Sequence, residues 1–162
     1  DRQGKDAGEV IFYRARDAAE NGQIVAVAGE AASAKGFGGN VSVMAGIGPD
    51  GTIINVVVTN HSETPGLGTN ATDRTLTRYI WQAFSPAKEA GLPPSKYLDQ
   101  YSGRDTSTIG TPAFHVVGKS AELADNAVLA VSGATISSRA VADAVNLICT
   151  AFETSKDEIL TK

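Results

Sequence analysis

The chain has 162 residues, enough for one domain with a sizeable core. Its composition is that of an ordinary folded protein, 42% hydrophobic and 20% charged, with a formal charge of −4. There is no basic excess to follow a nucleic-acid backbone, one cysteine excludes an internal disulfide, and two histidines make a soft metal site a poor expectation.

Taken in order, residues 1–9 are polar and are expected to be a loose segment. Val10-Ile11-Phe12-Tyr13 is β-prone, although the Ala and Glu content of residues 8–20 leaves helix as a rival. Residues 24–28 form a second strand candidate, after an Asn21-Gly22 turn signal. Gly36-Phe37-Gly38-Gly39 follows, with three glycines in four residues. Such a run marks either a bend between strands or a close approach of backbone to a ligand. It is not a Walker loop, because no Gly-Lys-Ser/Thr follows.

The clearest hairpin joins residues 41–47 to residues 52–59 through Pro49-Asp50-Gly51. Its second strand runs into a loop, Glu63-Thr64-Pro65-Gly66-Leu67-Gly68. Leu67, flanked by glycines, is either tucked into the core or offered to a flat apolar ligand. Glu63, Thr64 and the glycine N–H groups supply polar handles. Residues 72–84 carry Leu76, Tyr79, Ile80 and Phe84 on a helical stripe. Short strands are expected at 113–117 and 127–131. His61 and His115 have no legible partner and are read as satisfied polar groups.

The second expected strand delivers Ser132-Gly133-Ala134-Thr135, followed by Ser137 and Ser138. Val141, Val145, Ile148 and Phe152 then recur at spacings of four, three and four, one face of a helix from about 136 to 152. Residues 154–162 are expected to fray into a charged tail. A hydroxyl-rich strand-to-helix turn places unpaired N–H groups and the positive end of the helix dipole together, which suits a phosphate. Ser and Thr are also ordinary helix caps. Ser132 does not make a hydrolase nucleophile elbow, because Ala130 and Ala134 stand where glycines are required. With no repeat and no regular βαβ alternation, the fold class is α+β: a twisted, largely antiparallel sheet with helices packed on it, in a single domain.

Three stretches together resemble the FMN-binding domain found in the G subunit of the Rnf electron-transport complex and in the C subunit of the sodium-pumping NADH:quinone reductase. They are Gly36-Phe37-Gly38-Gly39, Glu63-Thr64-Pro65-Gly66-Leu67-Gly68 and Ser132-Gly133-Ala134-Thr135, and the resemblance spans roughly residues 10–153. It implies an electron carrier whose FMN is esterified through its phosphate to Thr135 by a separate flavin transferase. It further implies that Ser132, Gly133, Ala134, Ser137 and Ser138 lie about the phosphate. Glu63, Thr64, Gly66, Leu67 and Gly68 would lie about the ring. The other subunits of a membrane redox complex are the expected partners. A single N-terminal membrane helix would hold the domain on the outer side of the cytoplasmic membrane. One position departs from the pattern: Leu129 stands where the family's attachment motif usually has Asp. That departure motivates a non-covalent FMN module as the alternative. An extracytoplasmic structural domain without cofactor is a further alternative, since no paired carboxylates or Cys/His cluster is legible.

Overall fold

The computed structural model describes residues 8–18, 22–74, 92–107, 112–118 and 124–161. Four strands form an antiparallel meander: β1 (Val10–Arg16), β2 (Ile24–Gly36), β3 (Gly39–Ile47) and β4 (Ile53–Asn60), adjacent in that order. A short helix α1 (Thr69–Thr72) follows, then a 3-10 turn (Leu98–Tyr101). Strands β5 (His115–Val117) and β6 (Ala127–Leu129) pair in parallel, and β6 leads into the long helix α2 (Thr135–Thr161). The α+β class and the largely antiparallel sheet are as expected.

The hairpin between β3 and β4 forms where the sequence places it. Asp50 accepts hydrogen bonds from the Thr52 N–H at 3.0 Å and the Thr52 hydroxyl at 2.9 Å. These bonds hold the Asp50 carboxyl below its ordinary range. Val41, Val43, Ala45 and Ile47 alternate into the core, with Ile53 and Val56 from β4. Helix α2 lies across the sheet and buries Val141, Val145, Ile148 and Phe152 on the predicted stripe. Fully burying side chains of this size stabilises by about 1.5–3 kcal/mol each.

The structure corrects several boundaries. The strand expected at Val10–Tyr13 forms and runs on to Arg16, against the helical alternative, because β1 pairs along β2 from Val10↔Ala31 to Arg16↔Ile24. Strand β2 runs eight residues past the expected end at 28. Its extension, Gly29-Glu30-Ala31-Ala32-Ser33, is weak in β propensity, but residues 29–31 pair with β1 and β3 and residues 32 and 33 with β3. Its residues are small because α2 is close: a Cβ on Gly29 would lie 2.4 Å from Ile148 Cγ2. Helix α2 does not fray at 152. It bends at Ser155 (φ −118°, ψ 15°) and continues to Thr161, with Ile159 buried. The helix expected over 72–84 lies outside the described residues beyond Arg74.

Two polar ties fix the platform beneath the hydroxyl-rich turn. The Gln100 side-chain amide pairs with the Leu129 backbone like an added strand residue, accepting its N–H at 2.7 Å and donating to its carbonyl at 3.1 Å. The buried Tyr97 hydroxyl donates to the Ser138 carbonyl at 2.5 Å and contacts Tyr101 Oη at 2.9 Å. Burial pushes both phenols up from their usual range.

Candidate functional site

The three glycine- and hydroxyl-rich stretches meet at one cavity of about 160 Å³. Phe37 comes from the turn between β2 and β3. Glu63, Thr64, Leu67 and Gly68 come from the loop after β4. Gly133, Ala134, Ile136 and Ser137 come from the start of α2.

Glu63 joins all three. Its side chain is buried, at 5% exposure. Oε1 accepts the Gly38 N–H at 3.2 Å, and Oε2 accepts the hydroxyl of the buried Ser137. The Glu63 backbone N–H is donated to His61 Nδ1 at 3.1 Å, and His61 Nε2 lies 2.7 Å from Asp73 Oδ1. With Nδ1 accepting, the neutral ring carries its proton on Nε2 and donates it to Asp73. His61 is thus a satisfied polar group, as expected, and its partner is the loop that forms the cavity.

The glycines allow this closeness. A Cβ on Gly68 would lie 2.3 Å from Glu63 Oε2 and 2.8 Å from Ser137 Oγ. Gly133 has φ +79°, a conformation that suits glycine, and its turn brings Leu67 Cδ2 to 3.8 Å from the place a Cβ would occupy. The turn closes through the Ala134 N–H to Val131 carbonyl bond at 3.0 Å.

The predicted site residues separate into two groups. Ser132 and Thr135 are exposed at the turn outside the wall, while Thr64, Leu67, Gly68, Gly133, Ala134 and Ser137 line the cavity with Glu63. Thr135 opens α2 between two lining residues, Ala134 and Ile136; it is exposed and is not itself part of the wall. Gly66 sits outside the wall at φ +76°, shaping the loop by donating its N–H to Thr69 Oγ1 at 2.9 Å. Ser138 is fully buried below the turn: its hydroxyl donates to the Ala134 carbonyl at 2.9 Å and accepts the Val131 N–H at 3.2 Å. It braces the turn, and its hydroxyl is committed to backbone. Glu63 Oε2 and the Ser137 hydroxyl are likewise engaged with each other, and Glu63 Oε1 with Gly38. Phe37 and Ile136 were not singled out by sequence reasoning. The signal for Phe37 was a large aromatic inside a glycine run.

A wider groove of about 540 Å³, lined by Val10, Phe114 and Leu147 among others, carries none of these motifs. No group of three His, Cys, Asp or Glu among the described residues is arranged to hold a metal. No helix among them is long and apolar enough to cross a membrane.

Residues 36–149 match the family model for the FMN-binding domain, from the glycine turn to the middle of α2. The chain belongs to the FMN-binding domain family. It is similar to the G subunit of a Na(+)-translocating ferredoxin:NAD(+) oxidoreductase complex from Acetobacterium woodii, 28% identical over 78% of this chain and 49% of the relative. It is also similar to the G subunits of ion-translocating oxidoreductase complexes from two further bacteria. The one from Shewanella piezotolerans is 26% identical over 89% of this chain and 57% of the relative, and the one from Cereibacter sphaeroides is 30% identical over 96% and 58%. The chain thus spans about half the length of these relatives. The matched segment of this FMN-binding domain contains every wall of the cavity.

The residues fit the cofactor that gives the family its name. A flavin mononucleotide has a flat apolar ring system and an anionic phosphate tail. The cavity offers an apolar rim of Phe37, Leu67 and Ile136, and beside it the start of a 27-residue helix with an accessible hydroxyl. Sites that enclose a drug-sized ligand measure about 300–1,000 Å³, so this cavity grips a part of such a molecule and leaves the rest accessible.

Proposed function

We propose that this domain carries FMN esterified through its phosphate to the Thr135 hydroxyl and passes electrons within an Rnf-type ion-translocating oxidoreductase complex. The observation that supports the reading is the convergence of three distant motifs on one cavity, with the exposed Thr135 lying in sequence between two of its lining residues, Ala134 and Ile136. A phosphodiester keeps one negative charge. The N–H groups of the first turn of α2 and its dipole favour that charge at this place. Ser132 stands beside it in the exposed turn, and Gly133 and Ala134 keep the turn small enough for close approach. Leu67 packs on the ring. The isoalloxazine supplies the electron chemistry; the protein orients it and limits water at its buried side.

Attachment forms one bond, from Thr135 Oγ to phosphorus, and breaks the P–O–P link of a flavin nucleotide activated as a diphosphate; the other nucleoside monophosphate leaves and the hydroxyl proton passes to solvent. A flavin transferase performs this step on the accessible side of the turn. The electron-carrying partners are the other subunits of the complex. The domain faces the outer side of the cytoplasmic membrane, held by a membrane helix N-terminal to the residues here. The names of the related subunits, all parts of ion-translocating complexes, support the part of this reading that makes the domain a member of such a complex.

A second reading is non-covalent FMN binding, favoured by Leu129 in place of the attachment motif's usual Asp. Acid denaturation of protein co-expressed with a flavin transferase separates the two. A yellow precipitate, with an FMN adduct on the Thr135 peptide that Thr135→Val abolishes, supports the ester. Flavin in the supernatant supports the second reading. A colourless protein under every loading condition counts against both.

A further inference from the structure

Phe37 has an exposed side chain on an immobilised backbone. It occupies the two-residue turn of the β2–β3 hairpin, where Gly36 pairs with Gly39. The turn is pinned: Gly38 donates its N–H to the buried Glu63 carboxylate, and a Cβ on Gly38 would lie 1.9 Å from the Ser62 carbonyl oxygen. Yet the Phe37 side chain is 70% exposed. Two other large apolar residues beside the same small cavity are also exposed, Leu67 at 54% and Ile136 at 50%. The described residues include seven exposed large hydrophobics, and three of them meet here from three separate segments. Scattered exposed apolar residues need no explanation, but a cluster at a concavity does.

We infer that Phe37 is a flavin-positioning residue that contacts the isoalloxazine ring, with Leu67 and Ile136 completing an apolar clamp. This inference rests on the FMN reading above. The ligand chemistry follows from the exposed part of the walls: an aromatic, a leucine and an isoleucine suit a flat conjugated ring rather than a sugar or a peptide, and the lining carboxylate of Glu63 is buried and engaged with Gly38 and Ser137. An aromatic side chain buries about 150–250 Å² and prefers offset-stacked or edge-to-face contact with another ring. Pinning the hairpin tip through Gly38 and Glu63 removes backbone freedom before the ring arrives, so little ordering remains to oppose the contact. The clamp holds one part of the ring, and the tether at Thr135 holds the tail.

The test uses the flavin-loaded protein and two variants, Phe37→Trp and Phe37→Ala, each checked for covalent loading by acid precipitation. An indole in contact with an isoalloxazine quenches its fluorescence by electron transfer. Phe37→Trp is therefore expected to lower flavin emission several-fold relative to the wild type. Phe37→Ala is expected to raise the ring's accessibility to iodide several-fold. A role in folding alone would move neither reading in a protein that retains its native melting transition. Emission and iodide access equal to wild type in both loaded variants would overturn the clamp while leaving the tether standing. Absence of flavin from the wild-type protein under every loading condition would overturn both.

Discussion

The hydroxyl of Ser137, in the first turn of α2, donates to the carboxylate of Glu63, in the loop after β4, and both side chains are buried. The same carboxylate holds the Gly38 N–H. One acidic side chain therefore ties the hairpin tip, the Pro-Gly loop and the helix start into a single unit. Glu63→Ala is expected to orphan two donors, each costing about 1–3 kcal/mol. Glu63→Gln, which keeps an acceptor oxygen, should lose less. Urea titration of both variants against wild type measures the difference; equal stability of all three would contradict the tie.

Two glycines in one loop should respond to alanine for different reasons. At Gly68 the added Cβ meets Glu63 and Ser137, so Gly68→Ala should cost about 1–3 kcal/mol through overpacking and should displace Glu63. At Gly66 nothing lies within 4 Å, and the cost is the positive φ alone, about 1–2 kcal/mol. Combining each with Glu63→Ala discriminates them. The Gly68 penalty should shrink in that background, and the Gly66 penalty should persist.

Asp99 gives stability a dependence on acid pH. Burial raises its carboxyl, but the Ser95 N–H at 2.8 Å and the Arg74 guanidinium at 2.7 Å outweigh it and hold the pKa below 3.8. The unfolded chain thus binds the proton more readily than the folded one. The contribution is complete above 3.8 and is lost as pH falls through the lower folded value. Asp99→Asn should flatten this part of the acid limb in denaturant melts followed from neutral pH to below 3.8. An unchanged limb would show that the pair adds nothing.

Cys149 is buried on α2, and its thiol is pushed from 9.0 up to about 12, first by burial and then by the Glu153 and Asp105 carboxylates. The folded state favours the neutral thiol, so the associated stability is lost as pH rises above 9.0. Alkylation at neutral pH should be slow in the native protein and rapid in urea. Labelling of the native protein at the rate of a free thiol would show that α2 opens readily.

Much of this was legible beforehand because it depended on local chemistry. Pro49-Asp50-Gly51 has its own turn geometry, and the stripe from Val141 to Phe152 has its own period. The three motifs could be recognised, and they do converge. What could not be read was set by partners distant in the chain. The small residues of β2 look indifferent to strand until Ile148 is seen lying on Gly29. Glu63 reads as a handle for a ligand until Ser137 and Gly38 claim its oxygens. Ser138 reads as a phosphate contact until its hydroxyl is found engaged with Ala134 and Val131. The helical segment after Ser155 reads as a tail because Ile159 and Leu160 are its sole apolar residues among charged neighbours, yet Ile159 is buried.

The cavity's walls are drawn from a long stretch of chain, from Phe37 through the loop at Glu63 to Ser137 in the first turn of the last helix. A nascent or clipped polypeptide lacking α2 would have no floor on which a ring could rest. Acquisition of colour would then come after chain completion, and pigmented molecules would be those that had already passed folding.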